Sequence, residues 1–270
     1  MTPSSKVVRS TSNPGVKSLL RLRTRRARRD SGLFLVEGFR EIKRALDAGI
    51  AFEQMWFCPD LYLGESEGEL VDRAVVAGAG AVQATDDVFR RVAYRDRPEG
   101  VLAVCRQFDT SLERLSLSER ALVLVVERIE KPGNLGTMIR AAAAAGAEAV
   151  VAADPTTDVF NPNAVRSSLG TCFLVPLAVA ATEQTIGWLR ANGLTACVST
   201  PDGDTDLWSA PMTGSTAVVV GSEQYGVSPA LLDAAEVRVR IPMPGGLIDS
   251  LNAAVSAAIL LFEAVRQRSL

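Results

Sequence analysis

Ala121–Glu127 is an unbroken apolar run rich in β-branched residues, and a strand of that kind is stable only where both of its faces are covered. An alanine-rich helical stretch, Leu135–Ala145, follows and stops at Gly146. The pattern then repeats, with apolar runs at Ala149–Ala152, Leu194–Ser199 and Ala217–Val220, each leading into a polar or glycine-bearing loop. Val237–Ile241 alternates as a shorter strand, and Ser250–Gln267 has the length and spacing of a last long helix. Strand and helix in turn predict an α/β fold with a mostly parallel sheet, in which ligands gather at the carboxyl ends of the strands. With 47% apolar residues among 270, the chain can bury a sizeable core. Its aliphatic stretches are far too short to cross a bilayer, so no membrane partner is expected.

The first half reads as a smaller α/β unit. Leu33–Val36 is strand-like, Phe39–Leu46 has helical spacing with a stop at Gly49, and Phe52–Phe57 is again strand-like. Gly68–Ala77 is helical, Thr85 is placed to cap a short helix through Val92, and Val101–Val104 closes the unit. The polar stretch Asp109–Glu119 marks the boundary. The expected division is a basic arm over 1–30, a small domain over 31–107, a linker over 108–118 and the larger domain over 119–270.

Charge is distributed unevenly. Residues 1–30 hold nine basic groups against one acid, whereas the other 240 hold 20 against 30. Such a terminus suits a polyanion, and it also suits a solvated end or an organellar leader. Against the leader, the run passes through only Asp30-Ser31-Gly32 into the core-like strand at Leu33. A second basic cluster, Arg90, Arg91, Tyr94, Arg95 and Arg97, mixes cations with a flat ring, as single-stranded RNA binding requires; a solvated loop reads the same way. From these two clusters Arg21, Arg25, Arg28, Arg90 and Arg95 are the candidate RNA contacts.

The chain has no histidine, which removes the commonest general base and the commonest zinc ligand. Cys58, Cys105, Cys172 and Cys197 are too far apart for a paired metal or redox motif, so buried free thiols in a reducing cytoplasm, and no metal, are expected.

Three strand-end loops concentrate unusual residues. In the first, Pro132, Gly133 and Gly136 make a tight turn into a helix, Asn134 stands where an N-cap would, and Arg140 follows six residues later. In the second, Gly221 directly after a buried strand allows close backbone approach to a ligand. Glu223 in that loop would be costly to bury unpaired, and Arg140 is its expected partner. The third, Ile241-Pro-Met-Pro-Gly-Gly246, closes a strand before Ser250 and Asn252 open an apolar helix. The glycine spacing is not that of a dinucleotide fingerprint, which disfavours a nicotinamide-dependent oxidoreductase.

Taken together, Asn134-Leu-Gly136 with Arg140, Gly221-Ser-Glu223 with Gly226, and Ile241-Pro-Met243 with Ser250-Leu-Asn252 resemble the SpoU (TrmH-type) RNA ribose methyltransferases of the SPOUT superfamily. Phe34-Leu-Val-Glu-Gly38 resembles the start of the L30e-like RNA-binding domain that precedes many members. The resemblance implies a parallel sheet whose C-terminal segment forms a trefoil knot, S-adenosylmethionine as cofactor, and a homodimer. It makes Asn134, Arg140, Glu223, Ser250 and Asn252 the catalytic set. Thr200, Gly221, Ile241, Met243 and Leu251 become the cofactor pocket. The implied reaction is 2′-O-ribose methylation of RNA, with large-subunit (23S) ribosomal RNA favoured by the two-domain layout and resistance to a ribosome-targeting antibiotic as an associated role. Methylation of transfer RNA, and a non-catalytic RNA-binding protein of the same fold, stand as alternatives.

Overall fold

The computed structural model describes residues 7–246 and 250–269. They form two compact units, Met1–Phe108 with Phe160–Leu174 and Asp109–Val159 with Val175–Leu270.

In unit one, the described part of the basic terminus is not a free arm. It folds into α1 (Pro14–Arg21) and α2 (Arg25–Ser31). Asn13 caps α1 through its side chain, which accepts from the Gly15 amide, and Pro14 supplies the fixed φ that suits a first helical position. Val16, Leu19 and Leu22 recur every three residues beneath the charges, and all three are buried against Trp56, Phe89 and Val92. The cations occupy the opposite side, which hides the apolar stripe in a sequence dominated by arginine.

The rest of the unit follows as β1 (Leu33–Glu37), α3 (Phe39–Asp47), β2 (Phe52–Phe57), α4 (Glu67–Val76), β3 (Gly80–Gln83), α5 (Asp86–Val92) and β4 (Val101–Arg106). The sheet order is β1-β4-β2-β3, antiparallel at β1–β4 and β4–β2 and parallel at β2–β3. β3 escapes a pattern reading because none of its four residues is fully buried.

Unit two carries a seven-stranded sheet in which every pairing is parallel. It opens with β5 (Leu122–Glu127), α6 (Pro132–Ala144) and β6 (Ala149–Ala153). The chain then contributes α7 (Pro162–Ser167) to unit one, where Phe160 and Phe173 flank Phe34 at ring-centroid distances of 5.1 and 6.0 Å. Residues 160–174, expected within the 119–270 domain, therefore pack with the residues of the first unit. Back in unit two come β7 (Leu177–Ala180), α8 (Thr182–Ala191), β8 (Thr195–Ser199), β9 (Thr205–Asp206), β10 (Thr216–Val220), α9 (Pro229–Asp233), β11 (Val237–Arg240) and α10 (Ala253–Arg268).

The order β7-β6-β5-β10-β8-β11-β9 places β5 and β10 at the centre, both buried along their whole length. Alternate residues of these strands pack with Leu189 of α8 and Leu231 of α9. The other face meets α6 and α10, which also pack against each other. A parallel sheet covered on both faces needs these near-continuous apolar strands.

Candidate active site

The carboxyl ends of β8, β10 and β11 lie close together in the sheet, and the turns leaving them, with the start of α10, build one cleft of about 520 Å³. That volume falls within the range of small-molecule sites. Thr200, Gly221, Ile241, Met243 and Leu251 all line it, together with Glu223 and Ser250. Two glycines let backbones close in around it. A side chain on Gly221 would strike the backbone of Gly226 and Val227, and one on Gly203 would stand 2.6 Å from the Val239 carbonyl carbon. The turn that begins at Gly221 is pinned by Ser222 N–H to Gly226 O at 3.0 Å and Gly226 N–H to Ser222 O at 3.1 Å.

Beneath the turn, Glu127 is wholly buried at the end of β5. Its two oxygens accept from the Ser228 amide at 2.7 Å and the Thr182 hydroxyl at 2.9 Å. This carboxylate ties the end of the cleft turn to the centre of the sheet. The only sequence signal for it is an acid at the end of an otherwise apolar strand.

Asn134, Glu223 and Asn252 form one hydrogen-bonded chain. Asn252 is the N-cap of α10; its Oδ1 accepts from the amides of Ala254 at 2.9 Å and Val255 at 3.3 Å. Its Nδ2 therefore faces Asn134 and donates to Oδ1 at 3.4 Å, while Asn134 Nδ2 donates to Glu223 Oε1. Residues 118 and 89 positions apart meet in this way. The position of Asn134 differs from the expectation. Pro132 starts α6 two residues earlier, Lys131 takes the N-cap position, and Asn134 sits inside the first turn. Among the described residues no backbone amide claims its side chain, which leaves it to bridge the other two.

Arg140 does not pair with Glu223. The glutamate bonds Asn134 instead, and Arg140 is exposed on α6 with no ion pair among the described residues. Six residues along a helix turn a side chain about 240° away from the first, so Asn134 and Arg140 project from different faces of α6. Ser250 is exposed at the cleft and joins neither asparagine by a hydrogen bond among the described residues.

The candidate RNA contacts in unit one divide. Arg21 and Arg25 are exposed. Arg90 is about half exposed and pairs with Asp86 at 2.7 Å. Arg28 is removed from the set: it is 1% exposed, and its Nη1 donates to the Leu22 and Arg23 carbonyls at 2.9 Å each. A buried guanidinium is retained because those carbonyls satisfy it. Arg95 is likewise held inward, by Glu41 at 2.8 Å and by Glu99. Burial pushes the Glu41 carboxyl above the usual range, against the pull of that guanidinium.

The two basic clusters are neighbours. Arg23 donates to the carbonyls of Val92 and Ala93 at 3.1 and 2.8 Å, and its guanidinium lies 4.7 Å from the centre of the Tyr94 ring. All four cysteines are free and buried, and burial raises the pKa of each thiol. No helix among the described residues is long and apolar enough to cross a membrane.

The fit to an S-adenosylmethionine-type cofactor rests on the cleft itself. Its Gly221 turn is drawn tight by backbone packed on backbone, which leaves the cleft open, and Glu223 keeps one buried oxygen, Oε2, without a partner among the described residues.

Comparison with known proteins agrees with this geometry. Residues 121–262 match the model of the SpoU rRNA Methylase family, and residues 13–103 match that of the MRM3-like substrate binding domain. The chain is 31% identical to the 23S rRNA (guanosine(2553)-2′-O)-methyltransferase RlmP of Bacillus subtilis, over 95% of this chain and 98% of that one. It is 33% identical to the 23S rRNA (uridine(2479)-2′-O)-methyltransferase of Streptomyces viridochromogenes, over 93% and 88%. Among solved structures, an AdoMet-bound rRNA methyltransferase from Sinorhizobium meliloti superposes with a TM-score of 0.89 at 31% identity, covering 97% of this chain and 98% of the other. With the family model spanning the sheet, its three turns and most of α10, and relatives aligned along nearly the whole length, the chain belongs to the SpoU rRNA methylase family.

Proposed function

We propose that this enzyme transfers a methyl group from S-adenosylmethionine to a ribose 2′-hydroxyl of 23S ribosomal RNA, acting in the cytoplasm as a homodimer. The observation that carries the reading is the Asn252–Asn134–Glu223 chain standing beside a cleft lined by Thr200, Gly221, Ile241, Met243 and Leu251.

When bound, the cofactor supplies a methyl group on a positively charged sulfur, open to in-line attack. The residues of the chain provide the alignment, which accounts for much of the acceleration in such displacements. The turn from Gly221 and the segment at Ile241–Met243 enclose the cofactor, and Glu223 and Asn134 fix the edge of the cleft where the ribose enters. Arg140 carries a planar guanidinium fork. Its exposed fork grips a phosphate beside the target and so holds the ribose in position.

The trefoil knot is part of the proposal. Its support is that β11 lies between β8 and β9, which are consecutive in the chain, and that Thr200 N–H bonds Val239 O across that insertion at 2.9 Å. Support for the homodimer comes from Val255 and Phe262, two apolar side chains of α10 about half exposed and seven residues apart on one helix face.

Unit one supplies the RNA grip, with Lys17, Arg21 and Arg90 exposed around the contact between α1 and α5. Each phosphate-neutralising cation adds about 0.7–0.9 to the slope of log affinity against log salt. Lys17→Ala and Arg21→Ala are each expected to lower that slope by this amount in filter-binding titrations. The inward-facing Arg28 contributes nothing to it.

Primer extension at low nucleotide concentration, on total RNA with and without enzyme, tests the substrate. A new stop in 23S rRNA supports the proposal, and methylation of transfer RNA with ribosomal RNA inert overturns it.

A further inference from the structure

We propose that Tyr225 is a stacking platform for an RNA base at the mouth of the cleft, and so a substrate-positioning residue of the reaction. The inference rests on the proposed RNA methylation.

Tyr225 is 77% exposed, which is unusual for a large ring on a turn so tightly fixed. The turn has no slack: Gly221 packs on the backbone of Gly226 and Val227, and Ser222 and Gly226 bond each other in both directions. The Tyr225 amide also donates to Ser222 Oγ at 3.1 Å. Two residues away in the same turn, Glu223 is held by Asn134, and Tyr225 itself lines the cleft. One rigid six-residue turn therefore carries both a carboxylate of the proposed catalytic edge and a bare aromatic face.

A nucleotide drawn out of the regular stack to bring its ribose into such a cleft loses stacking worth a few kcal/mol. A preformed ring at the entrance replaces the lost stacking without having to order itself first. Every base offers a π-face, so the ring would hold the strand without reading its sequence, and the phenol hydroxyl is not needed.

The test compares Tyr225→Ala, Tyr225→Phe and Tyr225→Leu in methyl transfer to ribosomal RNA, with S-adenosylmethionine affinity measured by calorimetry. Tyr225→Ala is expected to lower kcat/KM for RNA by about five- to a hundredfold, with melting temperature unchanged and any fall in cofactor affinity much smaller than that loss. Tyr225→Phe is expected to recover most of that loss and Tyr225→Leu little. The proposal is overturned if Tyr225→Ala keeps full kcat/KM, if Leu rescues as well as Phe, or if cofactor affinity falls in step with activity. Wild-type enzyme that methylates no RNA would instead remove the underlying reading, whatever the variants do.

Discussion

Arg140→Ala lowers the single-turnover rate of methyl transfer by about a hundredfold and leaves S-adenosylmethionine binding unchanged. Both halves of that expectation follow from the site. Arg140 is absent from the cleft lining, so the cofactor loses no contact. It is exposed on the same helix as Asn134, with no carboxylate bound to it among the described residues, so its charge is available to RNA. Arg140→Lys keeps the charge and loses the two-pronged fork that matches a phosphate. The lysine variant should therefore recover only a small part of the rate. Near-native turnover with lysine would show that charge alone suffices and that bidentate clamping is wrong.

Gly221→Ala acts on the other half of the site. The added methyl has no side chain to displace; it meets the backbone of Gly226 and Val227, so the whole turn must move. Overpacking of this kind costs about 1–3 kcal/mol. Carried into cofactor binding, that is roughly a ten- to hundredfold rise in Kd, and Glu223 shifts with the turn. The matched control is Gly187→Ala in α8, where a methyl would meet nothing within 4 Å. There the helix gains about 0.5–1 kcal/mol, and cofactor affinity stays as in wild type. If calorimetry shows equal affinities for both variants, the cofactor does not depend on the Gly221–Gly226 turn.

The parallel sheet was legible because its central strands announce themselves. β5, β6 and β10 are short apolar runs with no charge before their ends, and β8 is nearly so. What escaped was short or disguised. β9 has two residues, and α8 opens after Ala181, which offers no side-chain oxygen for a cap. α1 hides its apolar stripe, Val16 and Leu19 with Leu22 beyond, in a stretch dominated by basic residues, so the sequence reads as a solvated arm where the chain builds part of a core. Arg28 was misplaced for the same reason: nothing local distinguishes a cation that satisfies two carbonyls from one that meets solvent.

The site was legible mainly through resemblance. No pattern within any one loop predicts that Asn252, capping α10, points its amide at Asn134. The expected Arg140–Glu223 pair followed from charge alone. Helix geometry and the start of α6 at Pro132 gave Glu223 to Asn134 instead.

A crystal structure of the protein with S-adenosylmethionine tests the central claim most directly. The cofactor is predicted to sit among Thr200, Gly221, Ile241 and Leu251, with its methyl group turned toward Asn134 and Asn252. A cofactor seated elsewhere, or one whose methyl group faces Pro201 and Asp202 and leaves the two asparagines behind, would contradict it.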